Sequence, residues 1–460
     1  MDGLIYAYHV PNSTGQQQYT QARLAALQEQ RKLRKASQEE SSEHIERTVS
    51  GESTKSGTSK ERLHQRDDRY GVMEHLRANT SSSSSSSNHS EHVHRVLLNN
   101  PFELRHGRRY LRELPYPLPC DLAELHRQSL RTLLGCRVFG RAICSPNVAK
   151  AVPRKVLEIG CGSGYWSSMC HDYFCSLKYP KASFTGLDVA PLAPDLKKQG
   201  LDWTFVQHDL RRIPLPFDDE AFDLVMLKDL SLALPLGAPF QRFLDETIRI
   251  LRVGGTLEIW ESDHVLRSLL PHPPPPVSKQ PLDQETAART ATFLIAPGTP
   301  FAPAQNKYLQ HASAWISEAL DRRQLPPLPC ARIAQVLYQE PDALGDVGIR
   351  RVAIPLGELR WERETVRTAV DSPMSNKGKT KMSENPLTAD QAALRQTALL
   401  TVLQMIESME PLLKEVSGKN SEEWSHWWAS MMADLLDPAR GSLNGECLEV
   451  GAWWATKLPE

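Results

Sequence analysis

The stretch Val156-Leu-Glu-Ile-Gly-Cys-Gly-Ser-Gly-Tyr-Trp166 limits what this chain can fold into: an apolar run stops in three glycines spaced two apart. Such a run predicts a buried parallel strand that delivers the chain into a tight turn and then a helix N-terminus. Gly160, Gly162 and Gly164 lack a Cβ, so the turn can take positive φ and its main chain can lie against a ligand. A strict dinucleotide fingerprint needs a third glycine three places after the second, and Tyr165 stands there. A Walker loop needs Gly-Lys-Ser or Gly-Lys-Thr, which is absent. The turn is therefore a site for a flat or charged ligand, with nicotinamide and flavin binding weakened and a phosphate-cradling loop of that type excluded.

Further apolar runs follow at regular intervals. Ser183-Phe-Thr-Gly-Leu-Asp188 ends in a carboxylate, Trp203-Thr-Phe-Val-Gln-His-Asp209 ends in three polar candidates, and Phe222-Asp-Leu-Val-Met-Leu-Lys228 ends in a base. Phe240, Phe243, Leu244, Thr247, Ile248 and Leu251 keep helical spacing up to Arg252-Val-Gly254-Gly255, where a glycine C-cap is expected. Thr256-Leu-Glu-Ile-Trp260 is the next strand.

Glu158-x-Gly160-x-Gly162-x-Gly164, with these runs in this order, resembles motif I and the strands after it in the class I S-adenosylmethionine-dependent methyltransferases. The resemblance implies a Rossmann-like α/β fold: a seven-stranded, mostly parallel sheet whose last strand is antiparallel, here with helical insertions. Gly348-Ile-Arg-Arg-Val-Ala-Ile-Pro-Leu-Gly357 would be its sixth strand and Glu446 to Ala455 its antiparallel seventh. The resemblance also implies the cofactor S-adenosyl-L-methionine, held by Glu158, Gly160, Cys161, Gly162, Gly164 and Trp166, by Asp188 and Val189, by Asp209 and Leu210, and by Lys228. In that family an acid after the second strand takes the ribose hydroxyls, and an ionised carboxylate can accept two hydrogen bonds from a cis-diol. Asp209, with Gln207 and His208 beside it, is the candidate for the adenine amino group.

Tyr116-Pro-Leu-Pro-Cys-Asp121-Leu-Ala-Glu124-Leu-His-Arg127 resembles the segment before motif I in fungal LaeA-like methyltransferases, and Trp166 fits that group too. This implies a leading helix over the cofactor, with Tyr116, Asp121, Glu124 and Arg127 as lid residues. A plain structural account stands beside it. Asp121 caps the helix, Glu124 completes a capping box, and Leu122, Leu125, Leu130, Leu133 and Leu134 form the buried stripe.

No residue is singled out by motif as catalytic. Glu261-Ser-Asp-His264 follows the fifth strand and Lys228-Asp229 the fourth, at the sheet end that faces the ligand crevice in open α/β folds. His264 can serve as a general base, and Glu261, Asp263 or Asp229 can orient a nucleophile. Alternatively Ser262 or Asp263 caps a helix and His264 is exposed. The Asn-Pro-Pro-Tyr string of base and glutamine N-methylases and the paired glutamates of arginine methylases are both missing. Asn306 and Tyr308 are substrate-side candidates at the start of a helix carrying Trp315, Ile316 and Leu320.

Composition sets the domain expectations. Residues 1–95 are polar, include the serine run 81–87 and the basic cluster Arg31-Lys-Leu-Arg-Lys35, and predict a disordered tail. Residues 96–150 are expected as a helical lead-in, and 151–460 as the methyltransferase domain with insertions near 263–345 and 360–442. Pro273 to Pro276 predict a spacer, and Lys377 to Lys381 a basic loop. Thr388 and Gln391 predict a helix start, and Trp424, Trp427, Trp428, Met431, Met432 and Leu435 a packed helix face. Eight scattered cysteines have no metal spacing and are expected to be reduced. A formal charge of −1 gives no strong nucleic-acid signal, and no apolar run reaches the ~20 residues of a membrane span. The expected setting is cytoplasmic and/or nuclear. The expected partners are a small-molecule or protein methyl acceptor and, through the tail or C-terminal helices, another protein. Two functions remain open: methyl transfer, or a regulatory scaffold that binds the cofactor without catalysis. An oxidoreductase would instead need NAD(P).

Overall fold

The computed structural model describes residues 97–459 except 180, 236, 272–280, 360, 363–386 and 438–441. The expected tail with its serine run and basic cluster, Pro273 to Pro276 and the loop Lys377–Lys381 lie outside the described residues. Every described residue belongs to the second of two compact units, Ser84–Glu460.

The lead-in opens with a hairpin of β1 (Phe102–Arg105) and β2 (Arg108–Leu111), followed by α1 (Leu122–Phe139) and the short α2 (Asn147–Lys150). The expected run of strands and helices follows: β3 (Lys155–Ile159), α3 (Tyr165–Ser176), β4 (Ser183–Asp188), β5 (Asp202–Gln207), β6 (Phe222–Lys228), α4 (Ala238–Ile250) and β7 (Leu251–Ser262). The first insertion holds β8 (Arg267–Leu269), α5 (Pro281–Thr290), β9 (Phe293–Leu294), β10 (Phe301–Pro303), α6 (Lys307–Asp321) and α7 (Ile333–Tyr338). After β11 (Leu344–Pro355), the second holds α8 (Ala389–Ser408), α9 (Glu410–Ser417) and α10 (Ser421–Leu435), and β12 (Glu446–Lys457) follows.

The sheet runs β11-β12-β7-β6-β3-β4-β5, with β8 and β10 beyond β12 and β9 beside β11. Pairings from β7 through β5 are parallel, whereas β12 lies antiparallel to both β7 and β11. Chain order reverses at β3, with β4 on one side and β6 on the other, and such a switch point opens a crevice at the strands' carboxyl ends. Strand residues alternate between two cores. Val156, Leu224 and Met226 join the cluster of Trp166 and α8, while Leu157, Val225 and Leu227 join that of Phe240 and Phe243 on α4. A parallel strand buried on both faces reads as an unbroken apolar run, which is why these strands were visible in the sequence.

Three local expectations change. Helix α4 ends at Leu251 in extended backbone (φ −80°, ψ 134°), and Gly254 (φ 74°) sits inside β7, where the pairing with β6 shifts register. The glycine pair thus bends a strand start instead of capping a helix. No helix begins at Ser262 or Asp263; the chain turns there into β8. Finally, Asp121 does cap α1, accepting from Glu124 N at 3.1 Å, but of the leucine stripe only Leu134 is fully buried, and charged residues share the buried face. Leu122 is 81% exposed, whereas Glu124, Arg127 and Arg131 are buried. Burial of charge is costly unless a partner or ligand compensates, so this face points to the site.

Candidate functional site

At the glycine bend, Gly160, Gly162 and Gly164 all take positive φ, 67°, 50° and 66°. A Cβ on Gly160 would stand 2.5 Å from Leu230 Cδ2. Gly160 and Cys161 donate backbone N–H bonds to Leu187 O at 2.8 and 3.1 Å, tying the bend to the end of β4. Gly164 N donates to Cys161 O at 2.7 Å and starts α3.

One cavity opens on this bend at the switch point, and of the residues expected to hold a cofactor every one but Gly164 lines it. Glu158 is buried and accepts from Ser167 N and Oγ at 3.2 and 2.7 Å, pinning β3 to the first turn of α3. Burial pushes its carboxyl up to about 7, against those bonds. Trp166, fully buried, donates Nε1–H to Ala142 O at 3.0 Å. Asp188 accepts from Gly162 N at 2.8 Å and Ala190 N at 3.3 Å; burial raises its pKa while these donors oppose the rise. Asp209 is gripped by Arg211 Nε and Nη2 at 2.9 and 2.8 Å. Gln207 Nε2 donates to Leu98 O and Val189 O, and His208 Nε2 meets Arg212 O at 2.8 Å.

On the opposite wall, α1 supplies Arg127, Gln128 and Arg131, and Tyr116 precedes it. Arg127 donates to both oxygens of Glu124, at 2.9 and 2.6 Å. Glu124 also accepts from Ser408 Oγ of α8 at 2.8 Å, and Met405 of α8 lines the cavity. Two separate segments therefore cover the crevice.

The sheet edge supplies the candidate chemistry. Lys228 Nζ donates to Asp229 at 2.7 Å; burial would raise Asp229, but the Lys228 and Arg131 charges outweigh it and hold its carboxyl low. His264 is buried, and its Nε2 lies 3.1 Å from Ser231 Oγ, which donates to Glu261 at 2.9 Å. Burial, then the Arg131 charge, pulls His264 down to about 3, so its ring is neutral. Burial and the Asp229 charge push Glu261 up.

Several candidates fall outside the cavity wall. Asp263 accepts from Cys330 N at 3.0 Å and lies near Arg267 and Arg351, both bonded to Glu449, so it serves an ion cluster under β12. Glu261 acts one step back, through Ser231. Asp121 pairs with Arg108 at 2.7 Å as well as capping α1. Asn306 caps α6 and donates to Asp434 and Ser442, while Tyr308 packs edge-on to Trp427. These last two are packing residues of the insertions. Sequence reading missed Ser231, Ser262 and above all Arg131, whose signal was the helical spacing Glu124, Arg127, Arg131 on one face. The described residues contain no cluster of side chains suited to a metal, and all eight cysteines are free. No helix among them is long and apolar enough to cross a membrane.

Residues 156–255 match a family model described as a methyltransferase domain. Over 107 residues the chain is 41% identical to a phthiotriol/phenolphthiotriol dimycocerosates methyltransferase of Mycobacterium tuberculosis, covering 22% of this chain and 35% of that protein. Over 129 residues it is 34% identical to a malonyl-[acyl-carrier protein] O-methyltransferase of Legionella pneumophila, covering 27% and 40%. The chain thus spans only 35% and 40% of the length of these two curated relatives. Among solved structures, phosphoethanolamine N-methyltransferase 2 of Haemonchus contortus aligns at 12% identity and a TM-score of 0.31, over 72% of this chain and 58% of that one. Residues 156–255 are thus similar to a methyltransferase domain, and they lie in a mixed α/β sheet of Rossmann-like topology.

Proposed function

We propose that this protein transfers a methyl group from S-adenosyl-L-methionine to an acceptor, a small molecule or a protein side chain. The observation that carries the reading is the cavity at the switch point. Its floor is bare main chain at Gly160 to Gly162, and Asp188 and the Asp209 to Leu210 backbone stand along one side. The residues fit the cofactor's parts. Asp188 has lone pairs beyond those used by Gly162 and Ala190 to accept two ribose hydroxyls, and Val189 and Leu210 offer apolar contact beside it. Asp209, held by Arg211, shapes the loop at the adenine end. The cofactor supplies an electrophilic methyl on a sulfonium, which a nucleophile takes in an in-line displacement.

The chain's own contribution is mostly positioning, which in the best intramolecular cases is worth ~7–11 kcal/mol of barrier. Where the acceptor is a hydroxyl, His264 is placed to accept its hydrogen bond and orient it, since a ring pulled down to about 3 is too weak a base to hold the proton at neutral pH. With Nε2–H donated to Ser231, and the Ser231 hydroxyl donated to Glu261, Nδ1 is the open acceptor on a neutral ring. An amine acceptor needs only to arrive neutral. The Tyr116–Arg127 string supports the finer kinship with the fungal LaeA-like group, since Tyr116 and Arg127 both line the cavity.

Calorimetric titration with S-adenosylmethionine, followed by a labelled-methyl transfer assay on cell extract, tests the reading. Saturable binding with a labelled product supports it. Binding without any product would favour the scaffold, and no binding would remove both.

A further inference from the structure

We propose that the methyl acceptor is a carboxylic acid whose carboxylate is anchored by Arg131 and Ser262, at the end of the cavity opposite Asp188. The inference rests on the methyltransferase reading and names the acceptor's class.

Three cations face this part of the cavity, and two are already neutralised. Arg127 is bonded to both oxygens of Glu124, and Lys228 to Asp229. Arg131 has no such partner: its Nε and Nη1 are buried without a hydrogen bond, and the whole side chain is 7% exposed. Its pKa falls only to about 10, through burial and then the Arg127 charge, so it stays cationic at neutral pH. A second orphan lies on the same wall: Ser262 Oγ, at the end of β7 and 2% exposed as a residue, is also buried and unbonded. Buried donors in folded proteins normally have partners, and a charged one more strictly so. Two donors from different elements converging on one cavity are what an anionic oxygen requires.

The position along the sheet assigns this anion to the acceptor. From the ribose acid on β4 the strands run β4, β3, β6, β7, so Ser262 stands three strand intervals away, roughly 14 Å. Gln128, not Arg131, is the α1 residue over the glycine bend, its Oε1 3.4 Å from where a Gly162 Cβ would be. Arg131 lies about one helical turn further, beside His264. The charge balance favours a monoanion: one uncompensated cation with Asp229 nearby would leave a phosphate dianion in excess. Leu118, Leu232 and Met405 line the cavity and suit an apolar body behind the carboxylate.

The probes are benzoate, its neutral isostere benzamide, and phenyl phosphate. Each is read by ligand-observed NMR with and without S-adenosylhomocysteine, on the wild-type chain and on Arg131→Met and Arg131→Lys, after thermal melts establish that each variant folds. The expected result is that benzoate binds at least about tenfold tighter than benzamide and phenyl phosphate, a preference lost in Arg131→Met and partly kept in Arg131→Lys. Equal binding of benzoate and benzamide, or a preference that survives Arg131→Met, overturns the proposal, and stronger binding of phenyl phosphate replaces carboxylate by phosphate. The cofactor's own carboxylate is separated by titrating S-adenosylhomocysteine against 5′-methylthioadenosine, which lacks it. Arg131→Met must weaken neither; loss confined to S-adenosylhomocysteine would assign Arg131 to the cofactor and overturn the proposal. Failure of both nucleosides to bind the wild type would refute the methyltransferase reading, while the benzoate preference would still be read on the protein alone.

Discussion

Replacing Asp188 by alanine tests the ribose contact, provided that two effects are separated. The carboxylate accepts from Gly162 N at 2.8 Å and from Ala190 N at 3.3 Å, so its removal also frees a donor inside the glycine bend. Those two bonds exist with or without ligand, and only the hydroxyl bonds are gained on binding. Hydrogen bonds to a charged group contribute ~1.5–3 kcal/mol each, so losing two at the lower bound costs ~3 kcal/mol, roughly 150-fold in affinity. Calorimetry with 5′-methylthioadenosine and its 2′-deoxy analogue on both proteins forms a cycle that cancels the loosened bend. Deleting the 2′-hydroxyl should weaken binding to the wild type by ~1.5 kcal/mol, about tenfold, and should cost nothing in Asp188→Ala. If the deoxy analogue loses equally in both proteins, or if Asp188→Ala binds within about threefold of wild type, the carboxylate does not hold the ribose.

Three further outcomes follow from the geometry. In Gly186→Ala the new Cβ would stand 2.2 Å from Trp203 Cη2 and 2.8 Å from Cys161 Sγ; we expect ~1–3 kcal/mol of destabilisation by denaturant titration, and an unchanged midpoint would show that Trp203 repacks freely. Glu258 accepts from Cys144 N, Ser145 N and Trp260 Nε1 at 2.7, 3.0 and 2.6 Å, so Glu258→Ala should cost ~3 kcal/mol or more, and Glu258→Gln, which keeps one acceptor, distinctly less. Equal losses would mean that volume, not hydrogen bonding, sets the cost. His264, pulled down to about 3 when folded from ~6.5 unfolded, binds its extra proton in the unfolded chain between those values. Its contribution is complete above about pH 6.5 and is lost as pH falls toward 3. The stability of wild type minus that of His264→Asn should therefore decrease between about pH 7 and 4, and a flat difference would refute the buried neutral ring.

The strands β3, β6 and β7 were legible because each carries a run that buries both faces and stops where the crevice begins, and β4 because its buried Phe184 and Leu187 lead into Asp188. Gly160 to Gly164 was legible because its conformation admits almost nothing else. What misled was local periodicity without knowledge of the surroundings. On the first half of α1 two stripes compete, the leucines at 122, 125, 130 and 133, which run on into the buried Leu134, and the charged set Glu124, Arg127 and Arg131, and hydrophobicity alone selects the first. The fold selects the second, because α1 lies across a polar crevice whose other cover, α8, comes from nearly 300 residues further along: Ser408 reaches Glu124, and Met405 the cavity. Leu122 is left in solvent and Arg131 is buried with its Nε and Nη1 unbonded. A helix keeps that arrangement against its own hydrophobic preference only where the surroundings return the free energy, and for Arg127 the return is visible as Glu124 and Ser408. For Arg131 the charges of Asp229 and Glu124 return part of it, but its Nε and Nη1 stay without a hydrogen-bond partner, which leaves them for a group that enters the cavity.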